Sequence, residues 1–273
     1  MSESLDIQES AHHRPFEIPI GSVDQLRAQF SETAGWLFRG QSCADWLLKP
    51  SVVRYAKRQG ITDDEAIRSF ENRCYKEFTR RAHFWFPFLP ASPSAAEWLS
   101  WMQHFGAPTR LLDVTVSPWV AAFFAMEDFE GDSAAIWAIK HALVPRQPDR
   151  DQNLLLGFRV DNAYFAKLEH SDPFNLTADA DKVEEMLPHL IPVRLHLQKG
   201  SFLYPLDFKE SICHKLGREA QKQHGVPTGL LRKLVIPRRL RAELLRELAS
   251  MNIDPEALFP GPDGFGRALR LLT

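Results

Sequence analysis

The stretch from Ser117 to about Asp128 constrains this chain more than any other. Ser117-Pro118 is a helix start, because a serine hydroxyl accepts from a free amide of the first turn and proline fits where its missing N–H costs nothing. The run behind it, Val120-Ala121-Ala122-Phe123-Phe124-Ala125, is apolar nearly all round. Such a helix has no face to give to water and must lie buried between layers. Ala134 to Ile139 follows as an apolar strand, and Trp36 to Phe38 reads as another short buried one.

The remaining pattern fills in a mixed fold. Ser22 to Gln25 forms a capping box ahead of Leu26 and Phe30, and Thr62 with Glu65 forms a second one. Behind the latter, Ile67, Phe70, Cys74, Phe78 and Trp85 mark a long amphipathic helix, roughly Asp63 to Phe86. Arg81 falls within its apolar stripe, and Glu71 and Glu77 fall on the edges. Either Glu77 pairs with Arg81 one turn later, or Glu71 or Arg81 faces a pocket. Ser94 and Glu97 open a helix that ends at Gly106 and Pro108 and delivers Gln103 and His104 to a loop.

Toward the C-terminus, Ile191, Val193, Leu195 and Leu197 alternate with Pro192, Arg194, His196 and Gln198, the period of a strand with one buried face. Pro192 favours an edge or the first part of that strand. Leu230 to Ile236 reads as a last strand and Arg238 to Met251 as a helix whose inner stripe is Leu240, Leu244 and Leu248. The tail from Phe259 to Leu272 should be docked, and Lys140 to Asp172 is a surface excursion. We therefore expect a solvated arm over residues 1–15 and one α+β domain over 16–273, with a mixed, mainly antiparallel β core flanked by helices.

A formal charge of -2 gives no general electrostatic drive toward nucleic acid or anionic membrane. The basic run Arg238-Arg239 with Arg241 is the one local feature in favour of nucleic acid, and such runs usually face solvent. Cys43, Cys74 and Cys213 are odd in number and widely spaced, which fits neither a disulfide framework nor a zinc knuckle and suits a reducing compartment. Met1 to Arg14 is polar, and no apolar run approaches membrane-spanning length, so a cytoplasmic location is expected. Phosphate-loop, dinucleotide-fold and nucleophile-elbow motifs are missing, and the histidines lack metal-ligand spacing, so no metal is expected.

Polar density stands out in two apolar settings. Arg39-Gly40-Gln41 follows directly on a strand, where a guanidinium needs a partner. It suits an anionic ligand, with Gly40 letting the ligand approach the backbone, or else forms an internal ion pair, for example with Asp113. The second cluster runs from Gln103-His104 through Thr109, Arg110 and Asp113 to Thr115 and Ser117, seven side chains able to hydrogen-bond around a turn and a helix N-terminus. Arg110 with Asp113 can equally be a local clamp.

Phe38-Arg39-Gly40, Gln103-His104-Phe105-Gly106-x-Pro-Thr-Arg-Leu-Leu-Asp and Ala121-x-x-Phe124-Ala125 together resemble the FRG domain family. The resemblance continues in Arg194-x-x-x-Gln198-x-Gly200-x-Phe202, Ile236-Pro237 and Leu258-Phe259-Pro260. Val114 stands where that family usually has an aromatic, and Phe105 where it often has tyrosine. The family is known mainly from bacteria and phages, often near defence genes, which implies a toxin or phage-defence effector.

The order of Arg39, Thr115-x-Ser117 with Ala121-x-x-Phe124-Ala125, and a later polar residue is also similar to ADP-ribosyltransferases of the Arg/Ser-Thr-Ser/Glu type. That resemblance implies NAD as substrate, a macromolecular acceptor, Arg39 on a phosphate, Thr115 and Ser117 at the pocket floor and nicotinamide ribose, and Gln198 at the glutamate position. A glutamine can orient a ribose hydroxyl but cannot stabilise the positive charge of glycosyl transfer. Glu71 or Glu210 is then left to supply the carboxylate, or the chain binds a nucleotide or phospho-ligand without turning it over.

Overall fold

The structure is a computed structural model that describes residues 15–31, 34–86, 93, 95–129, 131–144, 182–188, 191–224 and 229–271. Strand β1 (Phe16–Pro19) leads through α1 (Val23–Gln29) to β2 (Trp36–Gln41), followed by α2 (Ser51–Arg58), α3 (Asp64–Arg81) and α4 (Ala95–His104). Strand β3 (Leu112–Thr115), α5 (Pro118–Met126) and β4 (Ser133–Lys140) come next, then β5 (Val183–Met186), α6 (Val193–Leu197) and β6 (Gly200–Pro205). The chain continues through α7 (Ile212–His224), β7 (Leu231–Pro237), α8 (Arg241–Ser250), α9 (Pro255–Leu258) and α10 (Pro262–Leu269).

Among the described residues, the strands form one open seven-stranded sheet in the order β1-β7-β4-β2-β3-β6-β5. Only β1 runs parallel to its neighbour, β7; the other pairings are antiparallel. Helices cover both faces. Phe38, Ala134, Ile136, Ala138, Leu234 and Ile236 pack on one side with α1, α5 and α8, while Leu37, Leu112, Val114, Trp137, Ile139 and Leu203 pack on the other with α7. This double coverage explains why β4 reads as a continuous apolar run, since both of its faces are buried.

Helix α5 takes the interior position that its composition demands. Ser117 Oγ accepts from the amide of Val120 at 3.3 Å, and Ala121, Ala122 and Ala125 are wholly buried. The Ser22 cap on α1 forms as well, with Gln25 reaching back to the amide of Gly21. In α3 the cap is Asp63, which accepts from Ala66 N at 3.0 Å, where the sequence pointed to Thr62. Arg81 is exposed and pairs with Glu77 at 2.8 Å, the first of its two readings.

One element differs outright. Residues 193–197 form a short helix where alternation predicted a strand. Pro192 caps it at φ -57°. Leu195 is buried at 6% exposure, whereas Val193 at 65% and Leu197 at 39% are not, so the apparent apolar face has one buried member. Lys199 then takes a left-handed φ of 48° and turns the chain into β6. The expected arm and most of the surface excursion lie outside the described residues, and no described helix is long and apolar enough to cross a membrane.

Candidate functional site

Where β2 and β3 run side by side, their ends open on a cleft of about 300 Å³. Its floor is Phe38 to Gln41 from β2, Ser42 just beyond that strand, and Asp113 to Thr115 from β3. Trp46 and Arg54 stand on one side, and Phe124, Glu127 and Asp128 come from the end of α5. Arg194, Leu195 and Gln198 from α6, Gly200 and Arg267 of α10 close it. Of the residues singled out in the sequence, Arg39, Gly40, Gln41, Asp113, Thr115 and Gln198 thus meet in one concavity.

Arg39 lies at the centre. Its Nη1 donates to the carbonyl of Asp113 at 2.6 Å and stands 3.7 Å from the Asp113 carboxylate, while its Nε is buried without a hydrogen-bond partner. Burial pushes its guanidinium below the ordinary value; Asp113 opposes this and Arg54 adds to it. Burial also depresses Arg54 and Arg194, both of them drawn upward by Asp113. Asp113 is therefore shared by three guanidinium groups, with Asp263 and Glu127 also acting on Arg194, and guanidinium groups held in this way suit an anion.

Several candidates hold the cleft without facing a ligand. Thr115 Oγ1 donates to the carbonyl of Gln198 at 2.8 Å and accepts from Ser117 N at 3.0 Å. Gln198 is the last residue of the α6 turn, not a strand residue, and its amide donates to the carbonyl of Leu258. Gln41 uses both ends of its amide, on Leu47 and on the Trp137 indole. Gln103 donates to Asp113 at 2.8 Å and accepts from Thr109 at 2.6 Å, fixing the carboxylate from behind. Ser117 is absorbed in its cap, and His104 lies outside the cleft, exposed, its ring edge-on to Phe105.

Gly40 has a different reason from the one the sequence suggested. A β-carbon there would stand 1.9 Å from the carbonyl oxygen of Ala121, so the glycine admits helix α5 rather than a ligand. Arg110 and Glu71 also leave the site. Glu71 is fully buried and receives Arg110 through Nε at 2.9 Å, Nη2 at 2.7 Å and the backbone amide at 2.7 Å. This pair joins α3 to the loop before β3, replacing both the Arg110–Asp113 clamp and Glu71 as a cleft carboxylate. Glu210 pairs with Arg218 instead.

The cleft draws its carboxylates from elsewhere. Glu127, at 7% exposure, is gripped by Arg267 Nη1 at 2.9 and 3.1 Å. Burial raises its carboxyl above the ordinary value despite that partner. The Phe259 ring lies between Arg194, at 4.4 Å, and Arg267, at 3.9 Å, and so positions both. Arg54, Glu127 and Arg267 were not singled out from the sequence. Arg194 had a signal only in its spacing from Gln198. The basic run near residue 240 is occupied with backbone: Arg238 bonds Gly131, Arg239 bonds Gly21, and Arg241 takes the carbonyls of Met126 and Glu127.

A family model matches the segment that builds the floor and the α5 wall. The FRG domain model matches residues 34–133. The FRG match includes Phe38-Arg39-Gly40, the Gln103 to Asp113 segment and α5, and leaves Arg194, Gln198 and Arg267 outside. No curated protein and no solved structure matches the chain.

Proposed function

We propose that the cleft takes NAD and that the chain breaks the nicotinamide–ribose bond, passing ADP-ribose to water or to a macromolecular acceptor. The observation that carries this reading is the convergence of Arg39, Arg54, Arg194 and Arg267 on the concavity that also contains Thr115, Gln198 and Glu127. Guanidinium forks fit phosphate oxygens, and Arg54 and Arg194 make no side-chain hydrogen bond or ion pair among the described residues. A pyrophosphate would relieve the burial cost that depresses them. In glycosyl transfer from NAD, positive charge grows on the ribose as nicotinamide leaves, and a nearby carboxylate stabilises it. Glu127 supplies that group, where the resemblance to ADP-ribosyltransferases alone left a glutamine. A toxin or phage-defence role is the setting that the FRG resemblance suggests for such an activity.

Binding without turnover is the second reading, favoured by the grip of Arg267 on Glu127 and by the Gln198 amide being tied to Leu258. Incubation with NAD and cell extract, followed by mass spectrometry, separates the two. Nicotinamide release that is abolished by Glu127→Gln and weakened by Arg54→Ala supports the enzyme. Calorimetric binding of NAD with no release supports the binder, and no binding at all removes the cleft as a nucleotide site.

A further inference from the structure

Resting on the cleft as the nucleotide site, we infer that Trp46 is the platform for a flat heteroaromatic ring, so that the ligand joins such a ring to its phosphate. The cleft is chemically lopsided. Among its other apolar lining side chains, Phe38 is 2% exposed, Val114 3% and Leu195 6%, and the half-buried Phe124 ring is already in T-shaped contact with Phe123 and Phe259, whereas Trp46 is 42% exposed and free of ring partners among the described residues.

That exposure is not the result of a loose loop. Ala44 and Leu48 on either side are buried at 6% and 0%. The backbone is held by Ala44 N to Ser133 O at 2.8 Å, by the Gln41 amide to Leu47 O at 3.2 Å, and by Ile212 N to Leu48 O at 3.1 Å. A pinned segment therefore presents an indole at the rim of an arginine-lined cleft, and no ring contact or side-chain hydrogen bond occupies that indole among the described residues. Indole is the largest π surface a protein offers, and a base laid on it is held without regard to sequence or substituent. A ring on Trp46 leaves the attached phosphate to the guanidinium groups of Arg39, Arg54 and Arg194.

Three probes separate the parts: adenosine 5′-monophosphate, nicotinamide mononucleotide and ribose 5-phosphate, each titrated by calorimetry into the full chain. Trp46→Ala is expected to weaken whichever mononucleotide binds by about tenfold or more. It should leave ribose 5-phosphate unchanged, and Trp46→Phe should restore most of the loss. The mononucleotide should also quench tryptophan emission in the parent and not in Trp46→Phe, which still binds. Equal loss for ribose 5-phosphate, or no loss for either mononucleotide, overturns the assignment of Trp46 while leaving the cleft intact. If the parent binds NAD but none of the three, the assignment of Trp46 falls alone; if it binds neither them nor NAD, the nucleotide reading falls with it.

Discussion

Replacing Gly40 by alanine would put a methyl group into the seam between β2 and α5, 1.9 Å from the carbonyl oxygen of Ala121 and 2.6 Å from the amide nitrogen of Ala125. Both are backbone atoms, so no change of rotamer relieves the clash. Strand and helix must separate by about 1 Å before the contact is tolerable, which is large for a close-packed interior. Helix α5 has little freedom to move, because Ala121, Ala122 and Ala125 are already fully buried between the sheet and the outer helices. Overpacking against side chains typically costs about 1–3 kcal/mol, so this substitution should cost about 3 kcal/mol or more. That is a large part of a domain stability of roughly 5–15 kcal/mol.

Urea unfolding followed by circular dichroism measures the effect, and Gly200→Ala provides the control. At Gly200 the nearest atom is a side-chain methyl, Leu195 Cδ1 at 2.6 Å, which can turn away. Gly40→Ala should therefore be much the more damaging of the two. A loss within about 0.5 kcal/mol of the parent, or no larger than that of Gly200→Ala, would refute the reasoning.

Glu71→Gln leaves the Arg110 guanidinium without its buried carboxylate and is expected to cost about 3–5 kcal/mol in denaturant unfolding; the double replacement by methionine should cost less. Ser117→Ala removes the cap on α5 and should cost about 1 kcal/mol by the same assay. Burial raises the Glu127 carboxyl, so the folded state holds that proton more tightly than the unfolded chain does. The associated stability is present below the ordinary carboxylate pKa and is lost as pH rises through the raised value, and Glu127→Gln should flatten this part of a melting-temperature profile against pH.

Local chemistry was legible in the sequence where it is settled within a few residues. The Ser22 and Ser117 caps, the buried α5 and the Leu240, Leu244 and Leu248 stripe follow from spacing and side-chain type alone. Residues 193–197 were misread because alternation over so short a window also describes a short helix with one buried residue, and Pro192 opens a helix as readily as it edges a strand. Thr62 and Asp63 both carry a capping oxygen, and the choice between them depends on the backbone. Within the site, Arg39, Asp113 and Thr115 declared themselves by polarity in apolar strands. Arg54, Glu127 and Arg267 did not, because on their own helices they look like ordinary solvated charges. Arg110 was assigned the nearer carboxylate, Asp113, since nothing in the sequence shows that α3 brings Glu71 across.

The FRG match ends at residue 133, yet the cleft is completed by Arg194, Gln198 and Arg267. On the ribosome the chain emerges from its N-terminus, so the floor and the α5 wall exist well before the opposite wall has been made. A nascent or prematurely released chain that stops short of α10 lacks Arg267, and one that stops short of Phe259 also lacks the ring on which Arg194 rests. The cleft is thus completed late in synthesis, and an incomplete translation product carries the matched segment without the arginines of the opposite wall.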